Sequence, residues 1–124
     1  MEITITSHEE TNYLLIETKA TIETKEDLIL QSEMLYEEIA KYHFKKILIN
    51  QLETKLPKDL VVYFELVKNY VEEFPPEIRE LKIATFIDEE FKEVSASWET
   101  LCRSRGLNYS SFTSFTEAKN WLLS

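Results

Sequence analysis

Hydrophobic residues recur along this chain with two different spacings, alternating every second residue in some stretches and every third or fourth in others. Residues 2–6 (EITIT) and 12–18 (NYLLIET) are rich in β-branched and aromatic residues, with polar HEET between them. That pattern predicts an antiparallel hairpin. KKILIN (45–50), LKIATFI (81–87) and the more polar NYSSF (108–112) predict three further strands.

The helical spacing fills the intervals. Thr24 is placed to cap a helix starting at Lys25, with Glu26 and Asp27 in the first turn, where the helix dipole favours negative charge. Leu28, Leu35, Ile39 and Tyr42 then form one stripe. Pro57 is read as lying in the first turn of a second helix, whose inward face is Leu60, Phe64, Val67, Val71 and Phe74, and Pro75–Pro76 ends it. Phe91, Val94, Trp98 and Leu101 mark a third helix, ended by Gly106 in the left-handed position. Ser114 and Glu117 have capping-box spacing, ahead of a last helix whose Ala118, Trp121 and Leu122 share a face. This closing stretch reads as a fastener for the C-terminus.

The predicted order, β-β-α-β-α-β-α-β-α, is that of an α/β fold. It implies a five-stranded mixed, mostly parallel sheet with an N-terminal antiparallel hairpin, right-handed crossovers and four helices. Leu14/Ile16, Ile47/Ile49 and Leu81/Ile83/Ile87 make one strongly apolar sheet face. Tyr13/Leu15/Glu17 and Lys46/Leu48/Asn50 make a mixed one. A sheet covered equally on both sides would not alternate this way. Helices should therefore crowd one face and cover the other thinly.

Composition narrows the function classes. The 124 residues show no internal repeat or linker and read as a single domain, 1–124. A formal charge of −9 argues against nucleic acid and anionic membranes as partners, because phosphate binding is driven by Lys and Arg. No apolar run approaches the ~18 residues of a membrane span, so no stable membrane insertion is expected. A lone cysteine, Cys102, fits a reducing compartment and a cytoplasmic location.

Catalytic chemistry finds little to work with. One glycine cannot build a phosphate-cradling loop. His8 and His43 stand in separate elements without a metal-ligand partner at useful spacing. The acidic runs Asp88-Glu89-Glu90, Glu37-Glu38 and Glu72-Glu73 read as solvated helix ends. An enzyme would have to gather Asn50, Thr54 and Asp88 beyond the carboxyl ends of the parallel strands. No cofactor, metal or catalytic residue is assigned. The surplus of aromatic residues (Tyr36, Tyr63, Tyr70 and Trp98) points instead toward an interface or an apolar pocket.

The element order, with Lys82-Ile83-Ala84 opening a strand and Phe112, Ser114, Glu117, Ala118 and Trp121-Leu122 closing the chain, resembles the SpoIIAA-like (STAS-like) superfamily, which includes bacterial STAS/SEC14-type domains. The resemblance implies a compact β-α superhelix and a non-catalytic role as regulator, scaffold or carrier of apolar ligands. Its anti-sigma factor antagonists switch by phosphorylation of a serine where the third strand meets the following helix. Here that region carries Asn50, Thr54 and Asp59, with no Ser, Thr or Gly between Lys55 and Lys68. The serine switch therefore does not carry over.

Two expectations remain open. One is a non-enzymatic regulatory or protein-interaction domain, with a protein partner or a homodimer, using the region of Asn50, Thr54 and Asp59. The other is a carrier or sensor of an apolar small molecule such as a lipid, in a pocket lined by Phe64, Val67, Val71, Phe91 and Trp98.

Overall fold

Five strands run in the spatial order in which they occur along the chain. The computed structural model describes residues 2–69 and 76–124, with the side chains of 67–69 left out. β1 (Thr4–Glu9) and β2 (Leu14–Thr21) form the antiparallel hairpin. β3 (Lys46–Lys55), β4 (Lys82–Ile87) and β5 (Asn108–Phe112) follow in parallel. α1 (Lys25–Ala40), α2 (Leu60–Asn69) and α3 (Lys92–Ser104) make the three crossovers, and α4 (Phe115–Leu123) follows β5.

A parallel series that never reverses direction places every right-handed crossover on the same side of the sheet. The packing follows. Ile39 of α1 and the partly buried Leu35 meet Leu14, Ile16, Ile47, Ile49 and Ile83 on one face. Leu28 of α1, Tyr63 and Leu66 of α2 and Val94 of α3 share a second cluster with Ala20, Ile22 and Ile87. On the opposite face, among the described residues, α4 alone buries Ala118 and Leu122 against Tyr13, Leu48 and Ala84. Three helices against one is the asymmetry that the strand alternation predicts.

Local signals fix the helix ends. Thr24 and Asp27 form a full capping box: the Asp27 N–H donates to Thr24 Oγ1 at 3.1 Å, and the Thr24 N–H donates to Asp27 Oδ2 at 3.2 Å. At Ser114 only half of the expected box is present, the Glu117 N–H donating to the Ser114 hydroxyl at 3.3 Å. Gly106 (φ +86°) closes α3 in a Schellman motif. Its N–H donates to the Arg103 carbonyl at 3.0 Å, and the Leu107 N–H donates to the Cys102 carbonyl at 3.1 Å. A Cβ added at Gly106 would meet nothing closer than Arg79 Nε at 3.5 Å, so the strain lies in the backbone. Gly106→Ala should lower the unfolding free energy by about 1–2 kcal/mol in urea titration, with an unchanged fold.

Two elements depart from expectation. β3 runs to Lys55 rather than ending at Asn50, because its distal half keeps pairing with β2 through Thr21↔Lys55 after β4 has ended at Gln51↔Ile87. Pro57 lies ahead of α2, not in its first turn. Asp59 takes the capping position, its Oδ1 accepting the Val61 N–H at 3.0 Å, while the Pro57 carbonyl accepts the Tyr63 hydroxyl at 2.8 Å.

The tail is fastened by a contact that spacing alone does not reveal. Lys82 Nζ donates to the Trp121 carbonyl at 2.7 Å and lies 4.7 Å from the Trp121 ring centroid. A cation thus meets the negative end of the α4 dipole and an aromatic face together.

Candidate functional site

The helix that differs most from its expected packing is α2. The stripe beginning Leu60 and Phe64 was expected to face inward. Instead Tyr63 and Leu66 are the buried residues, while Leu60, Val61 and Phe64 are 43%, 57% and 59% exposed. Val71, Phe74 and the side chain of Val67 lie outside the described residues. The physical reason is that α2 is apolar nearly all round (LVVYFELV), so periodicity does not set its phase. Tyr63 sets it, since turning inward lets its hydroxyl reach the Pro57 carbonyl. Among the described residues α2 is apolar on nearly every side yet covered on only one, which leaves an apolar face in water, with Phe64 lying beside both Leu60 and Val61 at helical spacing.

Asn50, Thr54 and Asp59 surround the approach to this helix but do not make a common surface. Thr54 is buried, 1% exposed, and its hydroxyl is bonded to that of Thr18 across the β2–β3 pair. Asn50 Oδ1 accepts the Leu52 N–H at 3.0 Å. Only Asp59 is exposed, and its carboxylate caps α2. Asp88 is likewise engaged locally, its Oδ1 accepting the Glu90 N–H at 2.9 Å. The residues an enzyme would need are each occupied by neighbouring backbone or by a partner hydroxyl. Among the described residues, no three His, Cys, Asp or Glu side chains gather as a metal site would require.

Beneath the three-helix face lies a cavity of about 120 Å³, bounded by α1, α2, α3, the sheet and Ile78. Its walls include Leu35, Tyr63 and Trp98, but not Phe64, which points outward, nor Phe91, which is packed against Val94 and Leu66 in the neighbouring cluster. The apolar pocket therefore sits closer to α1 than the sequence suggests, and of its expected lining residues Trp98 is found there.

Polar groups also face this cavity. Gln31 and Thr85 are 2% and 1% exposed, and among the described residues neither Gln31 Nε2 nor Thr85 Oγ1 has a hydrogen-bond partner. Gln31 stands three residues after Leu28 and four before Leu35 on the same stripe, a polar residue among apolar ones. Nearby titratable groups are held neutral. Burial, with some help from Glu99, pushes the Cys102 thiol up to about 12. Burial raises the Tyr63 phenol as well. It also pushes the Tyr109 phenol well above its ordinary range, the neighbouring Cys102 adding to the rise and Thr85 offsetting part of it. Thr85 thus stands beside the Tyr109 phenol, although no side chain among the described residues meets the distance and angle of a hydrogen bond to its hydroxyl.

No family model matches the sequence. Comparison with curated proteins finds no match either. Solved structures do match. An anti-sigma factor antagonist from Mycobacterium paratuberculosis superposes with a TM-score of 0.63 over 99% of this chain and 96% of that one, at 10% identity. A DUF3478 protein with a SpoIIAA-like fold, from Shewanella loihica PV-4, gives 0.55 over 97% and 93%, at 17% identity. The fold is SpoIIAA-like. Both similarities extend over nearly the whole of each chain, so the SpoIIAA-like arrangement includes the N-terminal hairpin and the α4 fastener as well as the crossovers. Among the described residues, no helix is long and apolar enough to cross a membrane.

Proposed function

We propose that this SpoIIAA-like domain is a non-enzymatic regulatory module that binds a protein partner through the outer face of α2. The observation that carries this reading is the exposure of Leu60, Val61 and Phe64 on a helix whose inward face is already filled. Hydrophobic side chains in water at the centre of a helix face are what a partner would bury. The similarity to an anti-sigma factor antagonist supports the same class of role. With no Ser or Thr between Lys55 and Lys68, and Thr54 turned inward, the contact would be made without a serine switch. Asp59 supplies a standing negative charge at the helix start.

Replacing Val61 and Phe64 together by Asp should abolish partner capture while changing the unfolding free energy by no more than about 0.5 kcal/mol, since both are surface positions. Wild type and variant, immobilised at equal density and exposed to extract of the source cells, should differ by a small set of proteins held only by wild type. Identical sets would contradict the reading. A homodimer through the same face would appear in sedimentation velocity as a wild-type dimer that the variant lacks.

A second reading, carriage or sensing of an apolar small molecule, is favoured by the cavity under the three-helix face. The two readings use different surfaces and are compatible.

A further inference from the structure

An empty space in a core forfeits packing, and unpartnered polar groups beside it forfeit hydration. Both occur together here, which distinguishes this cavity from a simple packing defect. Gln31 reaches it from α1 and Thr85 from strand β4, so the two unpaired groups come from the helix layer and the sheet. Ser95 and Tyr109 add polar atoms around them, while Leu35 and Trp98 contribute apolar wall.

The lining also limits charge. None of the described lining residues is a carboxylic acid, a base or a histidine, and burial raises the Cys102 thiol and the Tyr63 and Tyr109 phenols, which favours their neutral forms. A carboxylate, phosphate or ammonium would enter without a counter-charge and lose its hydration, a strongly unfavourable exchange. Size limits the occupant further. A cavity of about 150 Å³ lined by aliphatic and aromatic side chains takes one benzene.

We propose that this cavity binds a small uncharged molecule of about one ring in size, carrying a single hydroxyl or carbonyl that bridges Gln31 and Thr85. The proposal rests on the small-molecule reading above and adds the chemistry of the ligand. The apolar body packs between Leu35 and Trp98. The polar tip completes the Gln31 carboxamide, which can turn either its N–H or its C=O inward, and the Thr85 hydroxyl, which can donate or accept. Long-chain fatty acids and phospholipid headgroups are disfavoured by both volume and charge.

The test uses the full chain and three probes of similar size: p-cresol, toluene and benzoate. By calorimetry p-cresol should bind about tenfold more tightly than toluene, and benzoate should not bind, because only p-cresol supplies a neutral hydrogen-bonding tip. Binding of p-cresol should shift the side-chain amide resonances of Gln31. In Gln31→Leu/Thr85→Val the p-cresol advantage should disappear while toluene affinity holds. Thr85→Val alone, nearly equal in volume, should halve or better the advantage and melt no lower than wild type. Toluene matching p-cresol in the wild type would overturn the polar anchor and leave the apolar-ligand reading standing. Benzoate binding as well as p-cresol would overturn the neutrality argument. If none of the three binds and the Gln31 resonances stay fixed, the proposal and the small-molecule reading fall together.

Discussion

Leu122→Ala is expected to be among the most damaging single truncations in the chain, lowering the unfolding free energy by about 3 kcal/mol. Leu122 is fully buried and packs with Tyr13, Leu48, Ala84 and Ala118. On the three-helix face, neighbouring helices share the work of excluding water. On this face α4 is the sole helix in the cluster, and Leu48 and Ala84 are themselves 0% exposed. Removing the isobutyl group would leave a space above β3 and β4, next to alanines too small to fill it. Chemical denaturation followed by far-ultraviolet circular dichroism measures the effect. Leu30→Ala, at a position 45% exposed on α1, serves as the control and should change stability by no more than about 1 kcal/mol. A Leu122→Ala loss as small as the control's would show that α4 is not docked on the sheet.

Alkaline conditions should destabilise the protein to a similar extent. Cys102 is buried, and its thiol is raised from an ordinary value of 9.0 to about 12, chiefly by burial and secondarily by Glu99. A raised value means that the folded state holds its proton more tightly than the unfolded chain. The stabilisation is therefore complete below pH 9 and is lost progressively as the pH rises toward 12. A three-unit separation at about 1.4 kcal/mol per unit makes this on the order of 4 kcal/mol by pH 12. The Tyr63 phenol, raised by burial from an ordinary value of 10.0, acts in the same direction from pH 10 upward. Urea midpoints between pH 8 and 11 should fall steadily above pH 9, and Cys102→Ala should flatten the first part of that fall. A midpoint independent of pH, or rapid maleimide labelling of Cys102 at pH 8 under native conditions, would contradict the account.

How far the fold could be read from the sequence depended on whether one residue pattern excluded its alternatives. Alternation in Leu14–Ile16, Ile47–Ile49 and Ile83–Ile87 permits only one inward face, so both the strands and their uneven coverage were legible. Gly106 was legible because glycine is the residue type that best suits the left-handed end of a helix, and its φ is +86°. α2 was not, because a helix apolar on nearly every side fits a core in several rotations. The choice among them depends on a tertiary bond from Tyr63 to Pro57 that spacing does not encode. The same limit hid the Lys82–Trp121 clamp, which joins residues 39 positions apart.

The candidate sites divide in the same way. The absence of Ser and Thr between Lys55 and Lys68 is a fact of sequence and needed no coordinates. That Thr54 is turned inward could be learned only from its pairing with Thr18, which depends on β3 continuing past Asn50. The pocket was expected to be lined by Phe64, Val67, Val71, Phe91 and Trp98; Trp98 lines the cavity, Phe64 and Phe91 do not, and the cavity extends to α1. Gln31 was its available signal, a polar residue in the middle of the Leu28–Leu35 stripe. A buried glutamine without a partner asks for an explanation, whereas a leucine there would have asked for none.

The most direct test of the regulatory role is site-specific photocrosslinking in the source cells. A benzophenone side chain placed at Phe64, on the exposed face of α2, should yield a discrete higher-mass adduct. The same group at Asn120, exposed on α4 across the sheet, should yield none. Adducts from Asn120 but not from Phe64, or no adduct from either, would contradict the assignment of α2 as the partner-binding surface.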